Sequence, residues 1–556
     1  MVTNQAYKIG LISDFNQQNL AVLLGKNPTV AATCQTAPYG QTLRLLLDPH
    51  DPFWTEALDA LVLWALPQLA VPGFQKLLSG EEFSPAELLD QVDAFCGLVR
   101  TIPDRVRTIF LPAWVLPDGD RGLGPMNLAH NLGPGNLLLQ MNLRLAAQLA
   151  ADRRVILLDA NQWLLTGGAG SPKLWYLSKT PFANAVFQAA AGDILAALEG
   201  LHGRSKKVLI LDLDNTLWGG ILGDEGWEQL RLGGHDAKGE AFVDFQRHLQ
   251  RLSRRGVLLA LASKNEEATA LHALRQHPEM ILRPEDFAAW KINWNDKAAN
   301  IAELMSELNL GLDSAVFLDD SAFERARVRE ALPAVLVPEL PPDPLLYPAF
   351  LAGLKCFDSP VISPEDRART TLYVADRQRT AAQSQYGSLA EWLQVLDLRV
   401  RAEPLTDANL ERAVQLFNKT NQMNLSTRRL TADELLAWST RPGHFLWTFR
   451  VADKYGDYGL CGLASLVHQD GRGQLLDFLL SCRVMGRGVE EAMLGTVAQT
   501  AIRLGCREIQ AEHIPTPKNQ PVEKWFSSQA RLQKTGTQFR LSLAEPLEFP
   551  QHVRMD

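Results

Sequence analysis

The sequence predicts a multidomain α/β protein. Two successive segments alternate short apolar runs with helical periodicity, and a third places several strands ahead of one long helix. At 556 residues the chain is long enough for about three domains. In residues 1–203 the apolar runs are YKIGLIS (7–13), ALVLWAL (60–66), TIFLPAWV (108–115) and RRVILLDA (153–160), with helical patterns such as NLRLAAQLAA between them. That rhythm predicts a parallel sheet covered by helices on both faces. Residues 204–356 repeat it with VLILD, GVLLALAS (256–263), SAVFLDD (314–320) and AVLVPEL (334–340), and leave through the proline-rich VPELPPDP (337–344). Residues 357–395 read as a charged helical connector. Residues 396–556 read as α+β, with LRVRAEP, HFLWTFRVAD, YGLCGLASLV and QLLDFLLSCRV preceding VEEAMLGTVAQTAIRLG.

Composition narrows the class. Hydrophobic residues make up 46% and charged residues 21%, as in an ordinary globular chain. A net charge of −8 argues against nucleic acid or an anionic membrane as a partner. The cysteines at 34, 96, 356, 461, 482 and 506 have neither disulfide nor zinc spacing, and read as reduced thiols. No signal pattern opens the sequence and no apolar run reaches ~18 residues, so a cytoplasmic protein is expected.

The stretch VLILDLDNTLWGGILGDEG (208–226) ends a buried strand on Asp212 and Asp214. Ser263 ends the next strand and Asp319-Asp320 a third, with Lys264, Lys291 and Lys297 between them. Sites in open α/β sheets form at the carboxyl ends of the strands, so these groups converge. One carboxylate can accept a phosphoryl group, a second two residues on can act as acid and base, and Mg²⁺ takes hard oxygen ligands. A hydroxyl and an ammonium would hold the phosphoryl oxygens. Between Thr216 and Ser263 lie 46 residues (217–262), and between Ser263 and Lys297 lie 33 (264–296). Each interval must supply a core helix, which leaves too little for a folded cap. An open site suits a bulky or protein-borne substrate.

In the third segment, Arg483, Gly486 and Gly488 form R-x-x-G-x-G between a strand and a helix, where glycines let backbone amides approach a phosphate. Cys482 precedes this turn, beside Arg483 and near a helix N-terminus, a setting that favours thiolate. Cys461, in GLCGL, is its rival. His444 and His513 are candidate bases that the sequence cannot place beside either.

DLDNT, Ser263, a downstream lysine and Asp319-Asp320 resemble, in order, the four motifs of the haloacid dehalogenase (HAD) superfamily. The resemblance implies a Rossmann-like domain with a minimal cap, with Asp212 as nucleophile and Asp214 as acid/base. It also implies phosphate binding by Thr216, Ser263 and a lysine, for which Lys297 comes first, then Lys291 and Lys264. Mg²⁺ would sit on Asp212, the Asp214 carbonyl and Asp319. The glycine turn resembles the coenzyme A loop of GNAT acyltransferases, which implies that Arg483, Gly486 and Gly488 bind a phosphopantetheine arm. The N-terminal layers resemble an SGNH-hydrolase sheet without a G-x-S-x-G elbow. Ser13-Asp14, His130 and Asp159 are the only conceivable triad there, and a structural or docking role is expected, with NLAHNLGPGNLLLQMN (127–142) a conceivable surface for substrate or carrier.

FNKTNQMNLSTRRL (417–430), DKYGDYGLCGL (453–463), SCRVMGRGVE (481–490), PTPKNQPVEKWF (515–526), the HAD motifs and YLSKTPF (176–182) together resemble FkbH-like proteins of polyketide pathways. That resemblance implies transfer of the glyceryl unit of 1,3-bisphosphoglycerate to an acyl carrier protein as a thioester, with loss of phosphate and a cysteine, here Cys482, as intermediate carrier. The alternatives are a phosphatase whose C-terminal domain only binds a carrier protein, and a non-enzymatic scaffold.

Overall fold

In the computed structural model, all residues are described except 1–5, 28–29, 117–121, 169, 171, 235, 361–366, 368, 384–385, 387 and 470. They form two compact units, 1–198 and 199–556. No helix among the described residues is long and apolar enough to cross a membrane.

The first unit carries a five-stranded parallel sheet, β1 (Tyr7–Ser13), β2 (Ala32–Thr36), β3 (Ala60–Trp64), β4 (Ile109–Pro112) and β5 (Val155–Leu158), in the order β2-β1-β3-β4-β5. Strand β3 is buried along its whole length, as the unbroken run ALVLW requires of an inner parallel strand. The stretch 127–142 runs into the helix Pro134–Leu149, on which Leu139 and Leu143 stay exposed while Leu138, Met141 and Leu145 are buried.

The second unit contains two sheets. The first holds β6 (Val208–Leu211), β7 (Leu258–Ser263), β8 (Phe287–Ile292) and β9 (Ala315–Leu318), all parallel, in the order β8-β7-β6-β9. All four side chains of β6 are fully buried, each worth about 1.5–3 kcal/mol of apolar transfer. The sequence reading placed a strand at 334–340, but only Leu336 bridges β9, since Pro333 and Pro338 remove ladder donors on either side. The reading also passed over β8, whose run FAAWKI is too mixed to stand out.

Three helices that follow strands start on side-chain caps. Asp236 caps Ala237–Arg254 through the Gly239 amide at 3.1 Å, Asp296 caps Lys297–Glu307 through Ala299 at 3.2 Å, and Ser321 caps Ala322–Ala331 through Glu324 at 3.4 Å. The last two fix the loops leaving β8 and β9. Between β6 and the first helix, residues 217–236 make only a small flap, with the four-residue helix Leu222–Glu225 and a bridge from Gly219 to Arg231. Buried Gln246 anchors it, donating to the Leu217 carbonyl and accepting from the Ile281 and Leu282 amides.

The second sheet comprises β10 (Leu398–Pro404), β11 (Met423–Asn424), β12 (His444–Asp453), β13 (Gly456–Gln469), β14 (Arg472–Leu480), β15 (Glu508–Glu512), β16 (Leu532–Thr535), β17 (Gln538–Ser542) and β18 (Val553–Met555). Its main path is β16-β17-β15-β14-β13-β12-β10-β18. Parallel β14 and β15 pair only from Gly473 to Leu475, and the far end of β14 pairs with β11 instead. The connector helix Arg369–Gln383 is tied to this sheet by a buried bidentate pair, Arg379 to Asp453, with both bonds at 2.8 Å. Tyr458 adds a 3.0 Å bond to the same carboxylate and stacks under the guanidinium.

Arg379→Met leaves the Asp453 charge buried, and should lower stability by about 3–5 kcal/mol in urea unfolding of the full chain. Replacing both partners by apolar residues should recover most of that loss.

Candidate active sites

At the carboxyl end of β6, Asp212 is 6% exposed, and it faces the fully buried Asp319 at the end of β9. Lys297, the first residue of its helix, lies between them, 2.8 Å from Asp212 and 2.6 Å from Asp319. Burial works against the Lys297 charge, but the two carboxylates outweigh it and its pKa is raised. Burial, with the neighbouring Asp212 charge, pushes Asp319 up to about 6 against the pull of Lys297. The other two lysines are engaged elsewhere: Lys264 pairs with Glu324 at 2.6 Å, and Lys291 with Glu303 at 2.9 Å and with Glu307.

Asp214 stands apart from that cluster. Its carboxylate accepts from Trp218 Nε1 at 3.0 Å, the Leu222 amide at 3.2 Å and Asn265 Nδ2 at 3.0 Å. Burial raises its pKa despite these bonds, which suits a group that must hold a proton and give it up. Two of its donors belong to the flap, so the flap orients the acid.

Two expectations need correction. Thr216 is fully buried and its hydroxyl accepts from the Asp320 amide at 3.1 Å, so it positions the β9 loop instead of meeting a phosphate. Asp320 joins the metal-type cluster, since oxygens of Asp212, Asp319 and Asp320 lie within 4.8 Å of one another. The Asp214 carboxylate does not join it, in keeping with the expectation that this residue offers a metal only its backbone carbonyl. Two further residues carried no legible signal. Asn265 joins Asp214 to the buried Ser263 hydroxyl, at 3.0 and 3.3 Å, and Arg325 donates to the Asp319 and Asp320 carbonyls at 2.8 and 2.7 Å. Three converging carboxylates are the hard donor set that Mg²⁺ prefers, so the residues present fit that ion.

Cys482 lies in a different place. It opens on a cavity of about 360 Å³ lined by Arg204, Lys207, Arg369, Arg412, Lys419, Arg483 and Lys518, with Asp313 as the lone carboxylate. Lys207 immediately precedes β6, and Asn309 to Ser314, also in the lining, immediately precede β9. The cavity therefore sits at the amino ends of strands whose carboxyl ends carry Asp212 and Asp319. Five residues at ~3.3 Å each separate Lys207 from Asp212 by about 16 Å.

The glycine turn is already filled. The Gly486 amide donates to Glu490 Oε1 at 2.7 Å, and buried Glu490 Oε2 has no hydrogen-bond partner among the described residues. Burial pushes Glu490 up to about 7. His552 donates to the Arg487 carbonyl at 2.9 Å, and a Cβ on Gly488 (φ +87°) would meet its ring at 2.7 Å. The seat expected for a carrier-arm phosphate at Gly486 and Gly488 is taken by a side chain of the same helix. Of the three residues assigned to the arm, Arg483 alone faces the cavity.

Cys461 is fully buried, with its thiol donating to the Tyr458 carbonyl at 3.3 Å. His444 packs on Trp438 and His513 is buried, and neither lines the Cys482 cavity. In the first unit, the buried Ser13 hydroxyl donates to the Phe15 carbonyl and Asp14 accepts from the Leu66 amide at 2.9 Å. Asp159 caps the helix Ala160–Gly167 and His130 is exposed, an arrangement with no activated serine.

No family model matches the chain, and no curated protein does. Among solved structures, the N-terminal part of the protein BF1531 from Bacteroides fragilis, containing a phosphatase domain complexed with Mg, is 28% identical. That match covers 64% of this chain and 95% of that one, with a TM-score of 0.58. A GNAT-family acetyltransferase from Staphylococcus aureus Mu50 matches 26% of this chain and 99% of its own at 12% identity and a TM-score of 0.21. The spermidine N-acetyltransferase of Vibrio cholerae, in complex with CoA and spermine, matches 26% and 96% at 12% identity and 0.22. These last two values are too low to bear on this chain.

Asp319→Asn should weaken Mg²⁺ binding at least ~10-fold by calorimetric titration, because it removes the innermost charged donor. Because folding raises the Glu490 pKa above its ordinary value of 4.5 to about 7, ionising it opposes folding, and stability should fall as pH rises through that window. Glu490→Gln should therefore melt higher than the parent at pH 8, with the difference closing toward pH 5.

Proposed function

We propose that the chain is an Mg²⁺-dependent, HAD-type phosphatase that is also an acyltransferase. In this reading it takes the glyceryl unit of 1,3-bisphosphoglycerate, removes phosphate, and loads glyceryl onto the phosphopantetheine thiol of an acyl carrier protein for polyketide assembly. The observation that carries it is the Cys482 cavity: a thiol in a lining with seven cationic residues and one carboxylate, in the same compact unit as a phosphoryl-transfer centre. A cation-lined cavity suits a donor bearing two phosphates, and an acyl phosphate is activated enough for a thiolate to displace without ATP.

At Cys482 the sulfur forms a bond to the acyl carbon while the carbon–oxygen bond to phosphate breaks, and phosphate leaves with the electron pair. The thioester then passes to the carrier thiol. At the other site the Asp212 carboxylate attacks phosphorus and Asp214 protonates the departing alkoxide. Asp214 next takes a proton from the water that hydrolyses the aspartyl phosphate. Lys297 and Ser263 hold phosphoryl oxygens, and a bound Mg²⁺ supplies further neutralisation of their charge. The BF1531 phosphatase domain, complexed with Mg, supports the metal. The small flap leaves the mouth open to a protein-borne substrate, and three exposed apolar side chains follow strand ends: Ile221 in the flap, Trp294 after β8, and Phe323 in the first turn of the helix after β9.

Intact-mass analysis after incubation with Mg²⁺ and 1,3-bisphosphoglycerate should show an acyl adduct that Cys482→Ala abolishes and that migrates to an added carrier protein. Phosphate release from a phosphoester without any adduct would leave a phosphatase with a carrier-binding domain, and the transferase half of the reading would be withdrawn.

A further inference from the structure

The environment of Cys482 is assembled from four separate parts of the second unit. Asn309 Nδ2 donates to the Cys482 carbonyl at 3.0 Å and fixes the backbone. Tyr373, buried on the connector helix, shares a hydrogen bond with the Cys482 side chain, and its own ionisation is pushed well up by burial and by that cysteine. Lys207 is held rigidly at its backbone, its amide donating to Ser314 at 2.8 Å and its carbonyl accepting from Leu258 at 2.9 Å. Its side chain enters the same cavity as Cys482 and Tyr373.

We propose that Lys207 takes the Cys482 thiol proton and remains beside the sulfur as its counter-charge, with Tyr373 fixing the direction of the sulfur. This rests on the reading of Cys482 as the acyl-bearing thiol and names the residue that prepares it. The proton moves from Sγ to the neutral Nζ of Lys207, giving thiolate and ammonium. The thiolate forms the sulfur–carbon bond, and the ammonium stays to face the phosphate that leaves.

Two observations favour Lys207 among the cations of the cavity. Arg204, Arg369, Arg412 and Arg483 cannot give up a proton at ordinary pH, Arg204 pairs with Glu199 at 3.2 Å, and Arg369 donates to the Gly256 carbonyl at 2.8 Å. Lys518 pairs with Asp313. Lys207 is instead desolvated, which pushes its pKa down to about 8, so a usable fraction is neutral near pH 7. The charged and titratable groups around it are Cys482 on the turn after β14, Arg369 on the connector helix, Lys419 at the end of the helix Asp407–Lys419, and Asp313 before β9. Arg369 and Lys419 press in the same direction as burial, and Cys482 and Asp313 against it.

The test is the pH profile of Cys482 alkylation by iodoacetamide on the full chain, read by peptide mass spectrometry between pH 6 and 10. No acyl donor is present, so this result and the loading assay fail independently. Lys207→Met and the more isosteric Lys207→Gln should move the alkylation midpoint up by about one pH unit, lowering the rate at pH 7 about tenfold. Lys207→Arg keeps the charge but cannot take the proton, so it should restore the midpoint while reducing the two coupled steps of the parent profile, thiol and lysine, to one. An unchanged midpoint in both neutral variants overturns the proposal. A shift that Lys207→Arg fails to restore also overturns it, because packing and not charge would then be responsible, and a Lys207→Arg profile with the same shape as the parent's overturns the proton transfer.

Discussion

Three carboxylates cannot gather at the end of buried strands without a cation among them. Asp212, Asp319 and Asp320 meet at β6 and β9, and Lys297 is the ammonium that touches the two buried ones. The balance is incomplete: one lysine against three acids leaves net negative charge, and burial together with the Asp212 charge raises Asp319. A divalent cation removes that residue of repulsion. Much of the surrounding architecture serves this arrangement. The Asp296 cap sets the helix that delivers Lys297, Thr216 pins the β9 loop, and Arg325 ties down two carbonyls behind the acids.

The C-terminal sheet solves a similar problem by other means. Asp477 is fully buried and answered by the Ser426 and Ser465 hydroxyls at 2.5 Å and by Arg428, while Asp453 is answered by Arg379. Glu490 has a single backbone amide and pays for it with a carboxyl whose pKa rises to about 7. Fully answered carboxylates fix the fold, whereas the half-answered one occupies a turn that a reader of its glycines takes for a phosphate seat.

What could be read from the sequence follows from how local each signal is. Apolar runs closing on Asp212, Ser263 and Asp319 are contiguous patterns, so the parallel sheet and its carboxyl-end acids were legible. Lys297 could be ranked ahead of Lys291 and Lys264 from its helix start, but its place could not be read, since that depends on which helix start faces β6. The strand expected at 334–340 failed because apolar content was weighed above its flanking prolines. In the glycine turn the glutamate was in plain view, but only the fold shows its carboxylate curling back onto Gly486. The cations around Cys482 lie between 204 and 518 in the chain, and no window of sequence contains them.

Strand β6 places Lys207 at one end and Asp212 at the other, with four fully buried residues between. A thioester is vulnerable to water, and a phosphatase centre needs a carboxylate that turns water into a nucleophile. Were both groups in one chamber, Asp214 would drain the acyl unit as fast as it was captured. If Cys482 carries an acyl group as proposed, the strand works as an insulator: its apolar length would shield the acyl bond from the base that would hydrolyse it. What limits such a molecule is then leakage, the fraction of captured acyl groups lost to water before delivery.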